Sequence, residues 1–455
     1  MSGAARDTTR RVAFVSRYPT GESLRSARAV QALDGVHLLG ICERPPETDG
    51  AAVFADVVCV DDTHDPAQLI DAAHRLARKH GALHQLATVR ETLLNPVAQA
   101  REALGLPGMR VATVNRALDK SLLKRVLEQA GLRTAPDRMI TGDDDARAFI
   151  DEVGFPIVLK PLGGSGGLAT WRIRDHEQLA LALDLIQPAP DNAVLAEACL
   201  PGRELCIDTI TIDDEPQFFS ICCYRPSILD ALENPALQWR CVMPRDLSAD
   251  IYRDFIDQGL TAIRALKVGH AMTHMEGFLL DDGGLCFTDA TLRPAGARIA
   301  PMLAFAYDID PYRAWARVAV DGCFDGPWSR NYAVGTLFLR GMGSGTVKQV
   351  DGIETVRQRL GAMLVDGRPP RVGSARAVTY TGDGYVTVRH PETQVVKETL
   401  DWIAETIHVT YSHPAPSASV NGARPARWAH LLQYFDKQLY KPAWDDDALP
   451  RLNEA

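Results

Sequence analysis

The stretch richest in chemical groups runs from Gly154 to Ile173, GFPIVLKPLGGSGGLATWRI, where an apolar strand-like run ends in Lys160 and leads into Gly163, Gly164, Ser165, Gly166 and Gly167. Four glycines in five positions let backbone N–H groups approach phosphate oxygens with no Cβ in the way, and the lysine just upstream supplies a point charge. The lysine precedes the glycines and a second strand-like run follows them, so this is not a Walker loop. The bland alternative is a flexible hairpin tip with an incidental lysine. A second cluster lies in HMEGFLL, the turn DDGG and LCFTDATLRP, residues 274–294. Glu276 and Asp289 are thirteen residues apart on two strand-like runs joined by that turn, a spacing that brings two carboxylates to one side of a hairpin. Mg²⁺ is held by a few carboxylates together with phosphate oxygens and water, so two acids facing a polyphosphate suffice. Surface acids on an ordinary hairpin are the alternative.

Upstream, Asp119-Lys120 opens the helical run DKSLLKRVLEQAGLRTAPDR, and here the sequence resembles the ATP-grasp superfamily, whose first-lysine motif the run matches. The resemblance implies that Lys120 and Lys160 reach ATP phosphates from different elements; a solvated lysine at a helix start is the alternative for Lys120. The run LAEACLPGRELCIDTI is similar to that family's hinge segment. Glu197 matches the hinge position, the backbone of Ala198 to Leu200 is expected against the adenine edge, and Glu204 matches the ribose-binding glutamate. A carboxylate suits that role because it accepts hydrogen bonds from vicinal hydroxyls. Two exposed glutamates beside the Pro201-Gly202 turn are the alternative.

By the same resemblance Glu276 and Asp289 hold the metal. The family usually shows E-x-N-x-R on the second strand, and here the run is Asp289-Ala290-Thr291-Leu292-Arg293. Asp for Glu keeps the charge and shortens the reach, and Thr for Asn keeps an oxygen of weaker donor strength, which leaves the place of Thr291 in the metal site open. Arg293 matches the motif's arginine, and RPAGARIAPML resembles the segment that sets a second arginine, Arg298, near the substrate carboxylate and the transferring phosphoryl group. A guanidinium suits that task because it stays charged and binds two oxygens at once. A structural salt bridge is the alternative for either arginine, and His274 reads as a core or edge histidine.

The resemblance covers roughly residues 12–411 and is strongest between Asp119 and Arg298; within the superfamily the L-amino acid ligases and related peptide-bond-forming enzymes are most similar. It implies an ATP-grasp fold, α/β and α+β multidomain, with an N-terminal Rossmann-like pre-ATP-grasp domain. It also implies ATP, with Mg²⁺ or Mn²⁺, and small carboxylate and amine substrates, amino acids foremost. The carboxylate is phosphorylated, an amine attacks the acyl phosphate, and ADP and phosphate leave. Two other readings stay open: a biotin-carboxylase-like or other carboxylating enzyme, although no M-K-M biotinyl sequence is present, and a catalytically weak nucleotide-binding scaffold, suggested by Asp289 and Thr291. Ligases of this type are often homodimers.

These residues need elements to hold them. Residues 11–110 alternate short apolar runs with amphipathic ones, which predicts a small parallel sheet with helices on its faces. Its first turn, SRYPTG, lacks the G-x-G-x-x-G of a dinucleotide-binding fold. A helix is expected over Asp119–Gln129, then strands at 156–160, 168–173, 193–198, 204–212 and 216–223. Helices fit Ser248–Leu266 and Glu392–Ile407, and strand-like runs near 333–340 and 372–388 flank the helix-like VDGIETVRQRLGAML. The expected division is a pre-ATP-grasp domain over 1–112, a first ATP-grasp lobe over 113–190, a second lobe over 191–330, a C-terminal cap over 331–411, and a linker with a terminal helix over 412–455.

The 455 residues carry 49 Lys and Arg against 58 Asp and Glu, a net charge of −9. An acidic balance argues against a general nucleic-acid coat, which needs excess Lys and Arg, but leaves room for a local basic pocket. Nine cysteines with no C-x-x-C pair suit reduced thiols, so a cytoplasmic location is expected. No apolar run approaches the roughly 18 residues of a membrane span, and no membrane partner is expected.

Overall fold

The computed structural model describes residues 9–46, 48–161 and 170–413. The loop Gly163, Gly164, Ser165, Gly166 and Gly167 and the segment 414–455 lie outside the described residues.

Four parallel strands form the first sheet, in the order Asp56–Cys59, Val36–Cys42, Arg10–Val15, Gln85–Ala87. Both faces are covered, which is why Val12 to Val15 are all buried instead of alternating. The helix Pro66–His80 shows how the sequence encodes the covering layer. Asp65 caps it by accepting from Ala67 N–H at 2.9 Å, Pro66 opens its first turn, and Leu69, Ala72, Ala73 and Leu76 form the buried stripe.

A second sheet of four antiparallel strands runs Asp137–Ile140, Val194–Ala198, Ile157–Pro161, Trp171–Ile173. The helices Asp143–Val153 and His176–Ile186 cover it through Phe149, Ile150, Leu179 and Leu183. Lys160 therefore stands near the end of an interior strand.

The largest sheet has eight antiparallel strands in the order Leu285–Thr291, Ala271–Leu280, Gly202–Ile212, Glu215–Arg225, Arg240–Met243, Ala333–Leu339, Gly384–His390, Leu364–Arg368. It continues without a break across residue 330. One face is packed by the helix Asp250–Leu266, whose Gly259 lies so close to the sheet that a Cβ there would sit 3.1 Å from the Ile207 side chain. A two-stranded sheet pairs Ser344–Asp351 with His408–His413.

Two segments differ from expectation. The strand expected over 372–388 begins only at Gly384, and 371–383 is irregular. A Cβ on Gly384 would lie 2.4 Å from the carbonyl oxygen of Arg368, so the chain enters the sheet where only glycine fits. The run VDGIETVRQRLGAML is α-helical over Ile353–Leu360 and 3-10 over Gly361–Met363; Gly352, at φ 86°, ends the preceding strand and turns the chain. No described helix is long and apolar enough to cross a membrane.

Candidate active site

Strand register sets the floor of the site. Glu276 lies opposite Asp289 on one side and Cys206 on the other, and His274 lies opposite Thr291 and Asp208. Residues two apart on a strand share a face, so Glu204, Cys206, Asp208, His274, Glu276, Asp289 and Thr291 gather on one face of three adjacent strands. That face borders a cavity of about 1570 Å³, which also reaches the four-stranded antiparallel sheet and the N-terminal domain.

Lysines meet these acids from across the cavity. Lys160 Nζ lies 2.5 Å from Glu197 Oε2 and 3.5 Å from Asp289 Oδ2. Lys120, the first residue of the helix Lys120–Gln129, pairs with the same Asp289. Asp119 caps that helix by accepting from Ser121 and Leu122 N–H at 2.9 and 3.0 Å, which fixes where Lys120 emerges. One turn on, the buried Lys124 reaches Glu197 Oε1 at 2.7 Å and Asp137 Oδ1 at 3.2 Å and donates to Ala135 O at 2.8 Å. Burial works to raise the Asp289 carboxyl, but Lys160 and Lys120 outweigh it and hold it at about 2. Burial works to discharge the Lys160 ammonium, and Asp289 and Glu197 more than reverse that, raising its pKa. Both groups are charged across the neutral range.

Glu197 thus holds its carboxylate between Lys124 and Lys160. Beyond it, Ala198 and Leu200 line an apolar part of the cavity with Phe155 and Pro156, and Ala198 N–H is already engaged by Pro136 O at 2.9 Å. Glu204 is buried and accepts from Ile228 N–H at 2.7 Å. Burial, with Glu276 and Asp289 nearby, pushes its carboxyl up to about 8.

The acids on the floor fit a hard divalent cation. Glu276 and Asp289 face each other in register, and Thr291 Oγ1 is buried beside them with no hydrogen-bond partner among the described residues. Two carboxylates and an orphaned hydroxyl oxygen form an all-oxygen donor set of the kind Mg²⁺ takes, with room left for phosphate and water. His274 supports this group from the side: Nδ1 lies 3.0 Å from Asp208 Oδ1, and Nε2 lies 3.3 Å from Glu276 Oε1.

Residues 119–203 match the family described as carbamoyl-phosphate synthase L chain, ATP binding domain. An L-arginine-specific L-amino acid ligase of Bacillus subtilis is 23% identical over 317 residues, 68% of this chain and 75% of that protein. An alanine–anticapsin ligase of Bacillus subtilis (strain 168) is 29% identical over 110 residues, 24% of this chain and 23% of that protein. Among solved structures, an L-amino acid ligase from Bacillus licheniformis superimposes with a TM-score of 0.72 at 20% identity, over 89% of this chain and 99% of that one. Residues 119–203 thus carry an ATP-grasp ATP-binding sequence, and the chain has the ATP-grasp fold.

In this fold the two arginines occupy different places. Arg293 borders the cavity, pairs through Nη2 with Glu91 Oε2 at 2.8 Å and donates through Nη1 to Pro294 O at 2.8 Å. Glu91 opens the helix Glu91–Leu104, so this pair joins the N-terminal domain to the site. Arg298 is held behind the wall by Asp366, its guanidinium 4.4 Å above the Tyr385 ring. Ala297 and Arg298 are consecutive non-glycine residues at φ 49° and 65°, a conformation that costs about 1–3 kcal/mol each and is typical of functional sites.

The structure therefore brings Lys120, Lys160, Glu197, Ala198, Leu200, Glu204, Glu276, Asp289, Thr291 and Arg293 to one ATP-grasp cavity. Sequence reasoning missed Lys124, Asp208 and Glu91 as partners. Lys124 had a usable signal, since it follows Lys120 by one helical turn. Asp208 lies in the midst of a strand and had none.

Proposed function

We propose that this chain is an ATP-dependent carboxylate–amine ligase that joins amino acids through an acyl phosphate, releasing ADP and phosphate. The observation that carries the reading is the meeting of Lys120 and Lys160 at Asp289, directly opposite Glu276. Phosphoryl transfer needs positive charge placed around a polyphosphate and an anionic acceptor, and little covalent chemistry from the protein.

In this reading Lys120 and Lys160 bind phosphate oxygens, with Lys160 aimed by Glu197 and the latter held by Lys124. Ala198 and Leu200 contact the adenine, and Glu204 the ribose. Glu276, Asp289 and Thr291 hold Mg²⁺, which when bound neutralises polyphosphate charge. Arg293, oriented by Glu91, receives the substrate carboxylate as a fork of two donors. A carboxylate oxygen attacks the γ-phosphorus and ADP leaves. The amine of the second amino acid then attacks the carbonyl carbon of the acyl phosphate, the C–O bond to phosphate breaks, and the amine proton is lost.

The relatives are amino acid ligases, which favours this reading over carboxylation or a weak scaffold. The test is phosphate release with a panel of amino acids, alone and in pairs, with dipeptide followed by mass spectrometry. Dipeptide formed in step with phosphate is the expected result; release that follows bicarbonate and ignores amino acids would overturn it.

A further inference from the structure

The cavity changes character beside Arg293. Tyr224, Ala297, Ile299 and Tyr380 line it there, and all four pack into one hydrophobic cluster with the fully buried Trp239. Ala297 and Ile299 follow Arg293 closely in the chain. Tyr224 reaches the site's edge through its hydroxyl, 3.4 Å from His274 Nε2.

This wall is braced from behind. Trp239 meets Tyr380 edge-on, with ring centroids 4.7 Å apart and planes at 82°, and meets Tyr224 at 5.1 Å and 63°. Edge-to-face contacts of this kind hold rings in fixed orientations. Tyr380 comes from the irregular segment 371–383. Tyr380 lines the same cavity as Glu276 and Arg293.

We infer that this apolar end receives the side chain of the amino acid whose carboxylate Arg293 holds, and that Tyr380 is the residue that sets its class: apolar, branched aliphatic or aromatic. A charged side chain entering here would lose water against Tyr224, Ala297, Ile299 and Tyr380, none of which carries an opposite charge to pair with it. An apolar side chain would gain contact with the same residues. The inference rests on the ligase reading above and adds the substrate class to it.

The test measures phosphate release at saturating ATP with leucine, phenylalanine, arginine or aspartate as the acid and a common amine acceptor. The expected profile favours leucine and phenylalanine over arginine and aspartate by at least about tenfold in kcat/KM, the scale on which a hydrophobic pocket discriminates. Tyr380→Ala should shift the preference between leucine and phenylalanine by about tenfold, mainly through the amino acid KM, with an ATP-induced thermal shift reporting that the variant folds and binds nucleotide. If Tyr380→Ala does not fold, Ile299→Ala probes the same wall and should move the same ratio. Equal use of charged and apolar amino acids, or a profile unmoved by whichever variant folds, overturns the inference while leaving the ligase reading intact. Phosphate release that no amino acid stimulates overturns the ligase reading itself, and this inference with it.

Discussion

Lys160 Nζ stands 3.5 Å from Asp289 Oδ2, joining an interior strand of the four-stranded antiparallel sheet to the edge strand of the eight-stranded one. Lys120 adds a second ammonium to the same carboxylate from a helix start. The cations expected to take phosphate and a carboxylate expected to take metal are thus one electrostatic unit. Under the proposed function a polyphosphate would compete with Asp289 for both ammonium groups and leave the carboxylate for a cation, which would couple nucleotide binding to metal binding.

Lys160→Ala is expected to abolish most ATP-dependent turnover while the protein still folds, because Glu197 keeps Lys124 at 2.7 Å. The loss in kcat should be about 10²–10³-fold, the range for removing one preorganised donor. ADP release, with circular dichroism as the fold control, checks it; wild-type release would sink the placement of Lys160 on ATP.

Asp289→Asn keeps the shape and removes the charge. The Mg²⁺ concentration for half-maximal turnover should rise by at least about tenfold, since losing even an outer partner of a metal ligand has that effect. An unchanged Mg²⁺ titration would move the metal site elsewhere. The same carboxyl bears on acid stability. With its folded value at about 2 against an ordinary 3.8, its contribution is fully present above 3.8 and is lost as pH falls through about 2. Acid unfolding of the Asn variant should therefore depend less on pH in that window.

Glu204 has the opposite sign. Its folded value of about 8 lies above the ordinary 4.5, so the folded protein binds more protons between those values and stability falls as pH rises through them. Glu204→Gln should flatten the decline in melting temperature between pH 5 and pH 8. A variant whose melting curve still tracks the wild type across that range would assign the dependence to another group.

Arg298→Ala should act chiefly on stability. Removing the guanidinium leaves Asp366 buried without its ion pair, at a cost of about 3 kcal/mol in urea unfolding. Arg298→Lys keeps the charge but loses the flat stack on Tyr385, so it should recover only part of that loss. If the alanine variant is as stable as the wild type yet inactive, Arg298 acts on substrate directly.

Local pattern carried a good deal of this protein. The N-terminal parallel sheet, the hairpin that sets Glu276 opposite Asp289, and the capped helix start at Lys120 were all legible, because each depends on apolar periodicity, a turn, or a cap within a few residues. The strand Ser344–Asp351 was not, since only Val347 is buried and a polar strand shows no alternation. Nor was the irregular course of 371–383, since the strand begins only at Gly384, where a Cβ would meet the Arg368 carbonyl.

Which residues carry charge, and which short segments present them, could be read along the chain: the lysines, the paired acids, the hinge glutamates and the arginine pair. Their partners could be read only from the packed fold. Lys124 with Glu197, Asp208 with His274, Glu91 with Arg293 and Asp366 with Arg298 join residues on different elements. Spacing along a chain constrains contacts within an element or across a tight turn, whereas the distance between a helix and a sheet is set by how their apolar faces pack. That packing let Arg293 face the cavity, kept Arg298 behind its wall, and placed Tyr380 against Trp239 at the cavity's apolar end.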